Sequence, residues 1–146
     1  MTSAPVQTAG FDPGRFWRRF ASEGHNGLLQ IQYVSHGADH VVLAAPCLPE
    51  LLTPSERVLP DGVLITLLDM AGTLAIWTRL GHFRPHATLD LRVDHIEAIP
   101  PEAEIKAYGA CYHLTKQVAY VRGHAYTDRS ATVAVLSATY AFTDQA

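Results

Sequence analysis

Cysteine is scarce in this chain. Cys47 and Cys111 are the only two among 146 residues, and they fall into neither a CxxC pair nor a zinc-knuckle spacing. That excludes a disulfide scaffold and a thiol-held zinc site as organising features; both residues read as reduced and packed as small hydrophobes. Charge is scarce too, at 17% of residues against about 25% in an ordinary soluble domain. The net charge is -3, and Lys and Arg cluster nowhere beyond Arg18-Arg19. No basic stripe exists to neutralise a run of phosphates, so nucleic acid is not an expected partner. No apolar run is long enough to predict a bilayer span: residues 63–77 come nearest, and Asp69 interrupts them. Residues 1–10 lack the charged and apolar regions of a secretory signal. A cytoplasmic protein without a membrane partner is the expectation. Repeats, low-complexity tracts and linkers are also missing.

What the chain has is apolar bulk, 48% of its residues. At this length that suits one domain with one core, spanning 1–146. The low charge fraction suggests that part of the surface is covered, most simply by a second copy of the chain.

Residues 1–10 read as a polar tail. Asp12-Pro13 is a helix-start signal, an N-cap followed by proline at the first helical position, and Phe16, Trp17 and Phe20 recur at helical spacing. A helix over 12–24 follows. Alternation predicts strands at 29–34 and 41–45, joined as a hairpin through the turn at His36–His40. A proline-marked connection covers 46–60. Residues 62–78 are apolar almost all round, which predicts a helix buried on most sides. Alternating segments at 86–96, 104–114, 118–127 and 132–142 then predict an antiparallel meander of four strands, with turns at Pro100-Pro101, Thr115-Lys116 and Asp128–Ser130. No crossover helix separates these strands, so a doubly wound parallel sheet is excluded. The fold class is α+β, with one central helix cradled by a curved antiparallel sheet.

Thr66, Asp69 and Thr73 share one face of the apolar helix. A carboxylate among apolar neighbours is costly unless it is hydrogen-bonded or paired. Asp69 is therefore either satisfied by hydroxyls, sheet backbone or water, or is a general base or nucleophile tuned by its environment. Eight histidines include the pairs His36/His40 and His82/His86 at spacing four, but these fall in turns, and no HExxH motif accompanies them. No metal site is expected. Ser55 and Ser137 lack the context of a nucleophile elbow.

The run Pro60-Asp61-Gly62-Val63-Leu64-Ile65-Thr66-Leu67-Leu68-Asp69-Met70-Ala71-Gly72, followed by Ala87-Thr88-Leu89-Asp90-Leu91-Arg92-Val93-Asp94, resembles the hotdog-fold acyl-CoA thioesterases of the PaaI-like, phenylacetate-degradation type. The resemblance extends from about Leu28 to Phe142. It implies a hotdog fold and hydrolysis of an acyl- or aryl-acyl-CoA thioester without a further cofactor. On that resemblance Asp69 activates water or attacks the thioester carbonyl. Thr73 and Thr88 position the water, and the backbone amides of Asp61 and Gly62 at the helix start hold the oxyanion. Asp61 as a helix N-cap is the other reading. The sequence departs from the family pattern at Pro60-Asp61, where His-Gly is usual, at Pro54, where an amide side chain is usual and Ser55 and Arg57 are the nearby polar residues, and at Glu97-Ala98, where Arg-Pro is usual.

Coenzyme A carries phosphates, for which Arg84, Arg92, Lys116 and Arg122 are the candidate cations; the resemblance favours Lys116, in the turn between the second and third meander strands. It also implies a homodimer or a dimer of dimers with ligand tunnels between subunits. A non-catalytic acyl-CoA-binding protein of the same fold is the alternative, motivated by the Pro60-Asp61 change.

Overall fold

A computed structural model describes residues 10–20 and 23–144; nine of the ten tail residues lie outside that span. The Asp12 carboxylate accepts the Arg15 amide at 3.0 Å, and Pro13 opens helix α1, Pro13–Phe20. The single helix expected over 12–24 is two: a separate turn α2 covers Gly24–Leu28. Gly24 takes a left-handed φ of 55°, which a continuous right-handed helix does not admit.

Strand β1 is Gln32–His36 and β2 is His40–Ala45, paired antiparallel. The first strand starts later than its alternation suggests because Gln30 has φ 55°. Leu29 and Ile31 still bury their side chains, as lead-in rather than strand. A 3-10 turn, Pro49–Leu51, interrupts the long connection.

Helix α3, Asp61–Leu80, is twenty residues long and closes on a left-handed Gly81. It is long and apolar enough by composition to cross a bilayer, yet it is a core helix: ten of its residues are buried by the rest of the chain. Leu67, Leu68, Leu74 and Ile76 have no measurable exposure, and each contributes on the order of 2 kcal/mol by burial. At Gly109 the sheet touches the helix backbone itself. A Cβ there would stand 2.7 Å from the Ala71 carbonyl carbon and 2.8 Å from the Gly72 nitrogen.

The remaining strands are β3 His86–His95, β4 Ile105–Leu114, β5 Val118–Tyr126 and β6 Ala134–Phe142. All six form one antiparallel sheet in the order β1-β2-β4-β5-β6-β3. The four-strand meander is thus corrected: β4, β5 and β6 are a meander, whereas β3 crosses to the far edge and pairs with β6. Both edges of β4 are taken, by β2 and β5, whereas β6 has an edge free beside the one β5 takes and offers Ala134, Leu136 and Ala138 on the helix side.

Register breaks set which side chains face the helix. In β3 the pairing steps from Thr88–Tyr140 to Asp90–Thr139, leaving Leu89 unpaired. His86 and Thr88 therefore face the helix from even positions, and Leu91 and Val93 from odd ones. Among the described residues the other edge of β3 carries no strand, and Leu89 is 62% exposed.

Candidate active site

Asp69 lies half-buried on the one strip of α3 that the sheet does not close. Its Oδ1 accepts the Tyr140 hydroxyl at 2.8 Å and the Thr88 hydroxyl at 3.4 Å. Thr88 and Tyr140 are register partners across β3 and β6, so one rung of the sheet supplies both donors. Among the described residues, Oδ2 has no hydrogen-bond donor.

Thr73 lies one turn beyond Asp69. Its hydroxyl meets His86 Nε2 at 3.3 Å, not the carboxylate. The His86 ring packs against Trp77 and Tyr140 at 5.3 and 5.2 Å between centroids. Desolvation there pushes the imidazole below its ordinary value, more than the Arg84 carbonyl and the Asp69 charge pull it up. His86 is therefore neutral at pH 7, and its buried Nδ1 has no hydrogen-bond partner among the described residues. Trp77 Nε1 donates to the Arg84 carbonyl at 2.7 Å, which ties the loop before β3 to the helix. Thr66, the third polar residue of this face, donates to the Gly62 carbonyl at 3.0 Å and meets His25 at 3.1 Å.

Asp61 and Gly62 are the first two residues of α3, and their amides are among those that a helix leaves without an internal partner. The N-cap reading of Asp61 is corrected. Pro60 occupies that position without a side-chain bond, and the Asp61 carboxylate turns to His95 at 3.5 Å. Gly62 stands seven residues before Asp69, about 10 Å along the axis. A carboxylate attacking the carbonyl carbon directly would have to stand within about 7 Å of an amide that holds the carbonyl oxygen, so within one chain the two ends do not fit direct attack on one carbonyl group. The cleft beside the helix start is acidic, lined by Glu56, Asp61 and Glu97 together with His95.

The four cations fall into two groups. Arg84 grips Asp144 through Nε at 2.9 and 3.0 Å, stacks over Phe142 at 3.8 Å, and donates to the Lys116 carbonyl at 3.2 Å. Asp144 is held below the usual carboxylate range by that guanidinium. Arg92 and Arg122 flank Ser137 in register on the sheet face away from the helix; Arg92 pairs with Asp94 at 3.1 Å and Arg122 lies over Tyr112. Ser55 and Arg57 sit in the exposed turn that Thr53 closes, where the Arg57 amide bonds the Thr53 carbonyl at 2.9 Å. Among the described residues, no three His, Cys, Asp or Glu side chains gather to hold a metal.

Asp69, Thr88 and, one turn on, Thr73 are thus brought together, whereas Asp61 and Gly62 are not joined to them. Sequence reasoning passed over Tyr140 and His86. A signal for Tyr140 exists: it is the one helix-facing residue of β6 with a polar tip, in a row otherwise made of Ala134, Leu136, Ala138 and Phe142. His86 shows only its place at a strand start and its spacing of four from His82, neither of which points to Thr73.

A sequence profile described as "Thioesterase superfamily" matches residues 59–135. Among solved structures, one from the thioesterase superfamily is 28% identical, with a TM-score of 0.77 and coverage of 89% of this chain and 95% of that one. A thioesterase from Haemophilus influenzae is 18% identical with a TM-score of 0.80, covering 91% and 92%. The PaaI protein of the E. coli phenylacetic acid degradation operon is 15% identical with a TM-score of 0.76, covering 86% and 88%. The last two show a shared fold, the hotdog arrangement of helix and sheet. No curated protein matches the chain.

Proposed function

Because the chain belongs to the thioesterase superfamily, we propose that it hydrolyses an acyl- or aryl-acyl-CoA thioester to the free acid and coenzyme A, with Asp69 as the base. The observation that carries this reading is the state of the carboxylate: Oδ1 is held by Tyr140 and Thr88 while Oδ2 is open on the unclosed strip of α3. In this reaction Oδ2 takes a proton from water as the water oxygen bonds to the thioester carbon. The carbonyl electrons shift to oxygen, then return as the carbon–sulfur bond breaks. Sulfur leaves with the bonding pair, and the proton taken by Asp69 completes the thiol. Thr73, oriented by neutral His86, and Thr88 supply hydroxyls that hold the water.

The oxyanion donors would be the Asp61 and Gly62 amides of a second copy, since those of the same chain lie about 10 Å away. The unpaired edge of β3 is a fitting seam for that copy, because exposed strand edges favour pairing. A homodimer or dimer of dimers in the cytoplasm is thus part of the reading, as is a role for Lys116, Arg84, Arg92 or Arg122 toward the phosphates of coenzyme A. No further cofactor is required.

A second reading, a non-catalytic acyl-CoA-binding protein, is favoured by the acidic cleft at the helix start, where Asp61, Glu56 and Glu97 oppose a developing oxyanion. One experiment separates the two. Wild type and Asp69→Asn are offered short, medium, long and aromatic acyl-CoAs while free thiol is followed. Hydrolysis by wild type, lowered at least 100-fold in the variant, supports the enzyme. Tight binding without thiol release supports the binding protein, and turnover that survives the substitution removes Asp69 from the mechanism.

A further inference from the structure

Tyr140 is the largest fully buried side chain among the described residues, with no exposed surface. Phenylalanine would fill the same space without a hydroxyl to satisfy, and burying a hydroxyl is unfavourable unless it is bonded. This hydroxyl has one side-chain partner, Asp69 Oδ1 at 2.8 Å, with the Asp69 carbonyl at 3.4 Å. Burial and the Asp69 charge push the phenol well above its ordinary value, so it keeps its proton and donates to the carboxylate. Gly72 carries no side chain where the phenol passes α3. Thr88, the other donor to Oδ1, is exposed and longer at 3.4 Å, which leaves Tyr140 as the rigid one.

We propose that Tyr140 is a positioning residue for Asp69: its hydroxyl, fixed in β6, holds Oδ1 and so directs Oδ2 toward the reacting water. Tyr140 touches neither substrate nor water and acts through the carboxylate alone. The proposal rests on the hydrolase reading above. A donor set in a strand allows the acid less rotation than one on a loop, and misplacing a reacting group by about 1 Å is enough to cost roughly 100-fold in rate.

The test is thiol release by wild type, Asp69→Asn, Tyr140→Phe and a protein with 3-fluorotyrosine at position 140, each with a thermal melt. Tyr140→Phe is expected to lose roughly 10- to 100-fold in kcat with KM within about twofold of wild type. The 3-fluorotyrosine protein, which keeps the hydroxyl, is expected to stay within about threefold in kcat; a loss in it, folded, as large as that of Tyr140→Phe would assign the effect to packing and overturns the proposal. Wild-type kcat in folded Tyr140→Phe, with Asp69→Asn inactive, overturns the proposal alone. A rise in KM at constant kcat overturns it as well, by assigning Tyr140 to binding. Absence of turnover by wild type, or full turnover by Asp69→Asn, overturns the hydrolase reading and this proposal together.

Discussion

Gly72 makes the room in which Tyr140 reaches the helix: a Cβ at position 72 would stand 2.9 Å from the Tyr140 hydroxyl and 3.0 Å from Val121 Cγ1. Neither neighbour can yield freely, since both sit on fully buried strand positions. Gly72→Ala is therefore expected to destabilise the fold by about 1–3 kcal/mol. Tyr140→Phe removes one of the two clashing atoms, so Gly72→Ala should be milder in that background by at least about 0.5 kcal/mol. Equal effects in the two backgrounds, read by urea denaturation, would show that the hydroxyl is not what Gly72 accommodates.

Gly109 excludes a side chain for a stiffer reason, because its Cβ would meet helix backbone at 2.7 Å. Backbone cannot rotate aside. Gly109→Ala is expected to cost about 3 kcal/mol and lower the melting temperature by several degrees. An unchanged melting curve would mean that α3 can ride further from β4 than it does here.

His86 links stability to pH. Folding holds the imidazole below its ordinary value, so the unfolded chain binds more protons wherever the two states differ. Stability from this group is complete above the unfolded value of about 6.5 and is lost as pH falls below it. Melting curves of wild type and His86→Gln at pH 7.5 and 5.5 check the sign: wild type should lose more on acidification than the variant. Parallel losses would remove His86 as the source.

Asp61 works against the proposed chemistry while helping the helix. Its side chain is 74% exposed, and a carboxylate in the first turn favours the helix by about 0.5 kcal/mol. The same charge opposes negative charge gathered on the neighbouring amides. Asp61→Asn should raise the thioesterase rate about twofold at low ionic strength, with the gain shrinking in about 0.5 M salt. A lower rate in the variant would mean that the carboxylate assists, through His95 or directly.

Some of this was legible in the chain. The apolar run with one acid gave α3 and Asp69, because burial on all sides leaves a plain compositional mark. Alternation found every strand to within a few residues. The place of β3 in the sheet was not legible, since pairing with β6 across nearly forty residues leaves no local trace; neither was the break between α1 and α2, which rests on the φ of Gly24. Tyr140 and His86 became site residues only when β6 and β3 were set side by side under α3. Their roles come from contacts between distant segments, and no spacing rule within one segment encodes them.

The unpaired Leu89 divides β3 into two reading frames. The first, His86 and Thr88, faces the helix with polar groups; the second, Leu91 and Val93, faces it with apolar ones. The polar contacts to the middle of α3 thus come from the first half of one ribbon, and the apolar ones from Leu91 and Val93 in the second, before His95 turns to Asp61 at the helix start. A residue exchanged in one half leaves the facing of the other untouched, so a change among the polar positions does not turn Leu91 and Val93 away from the helix.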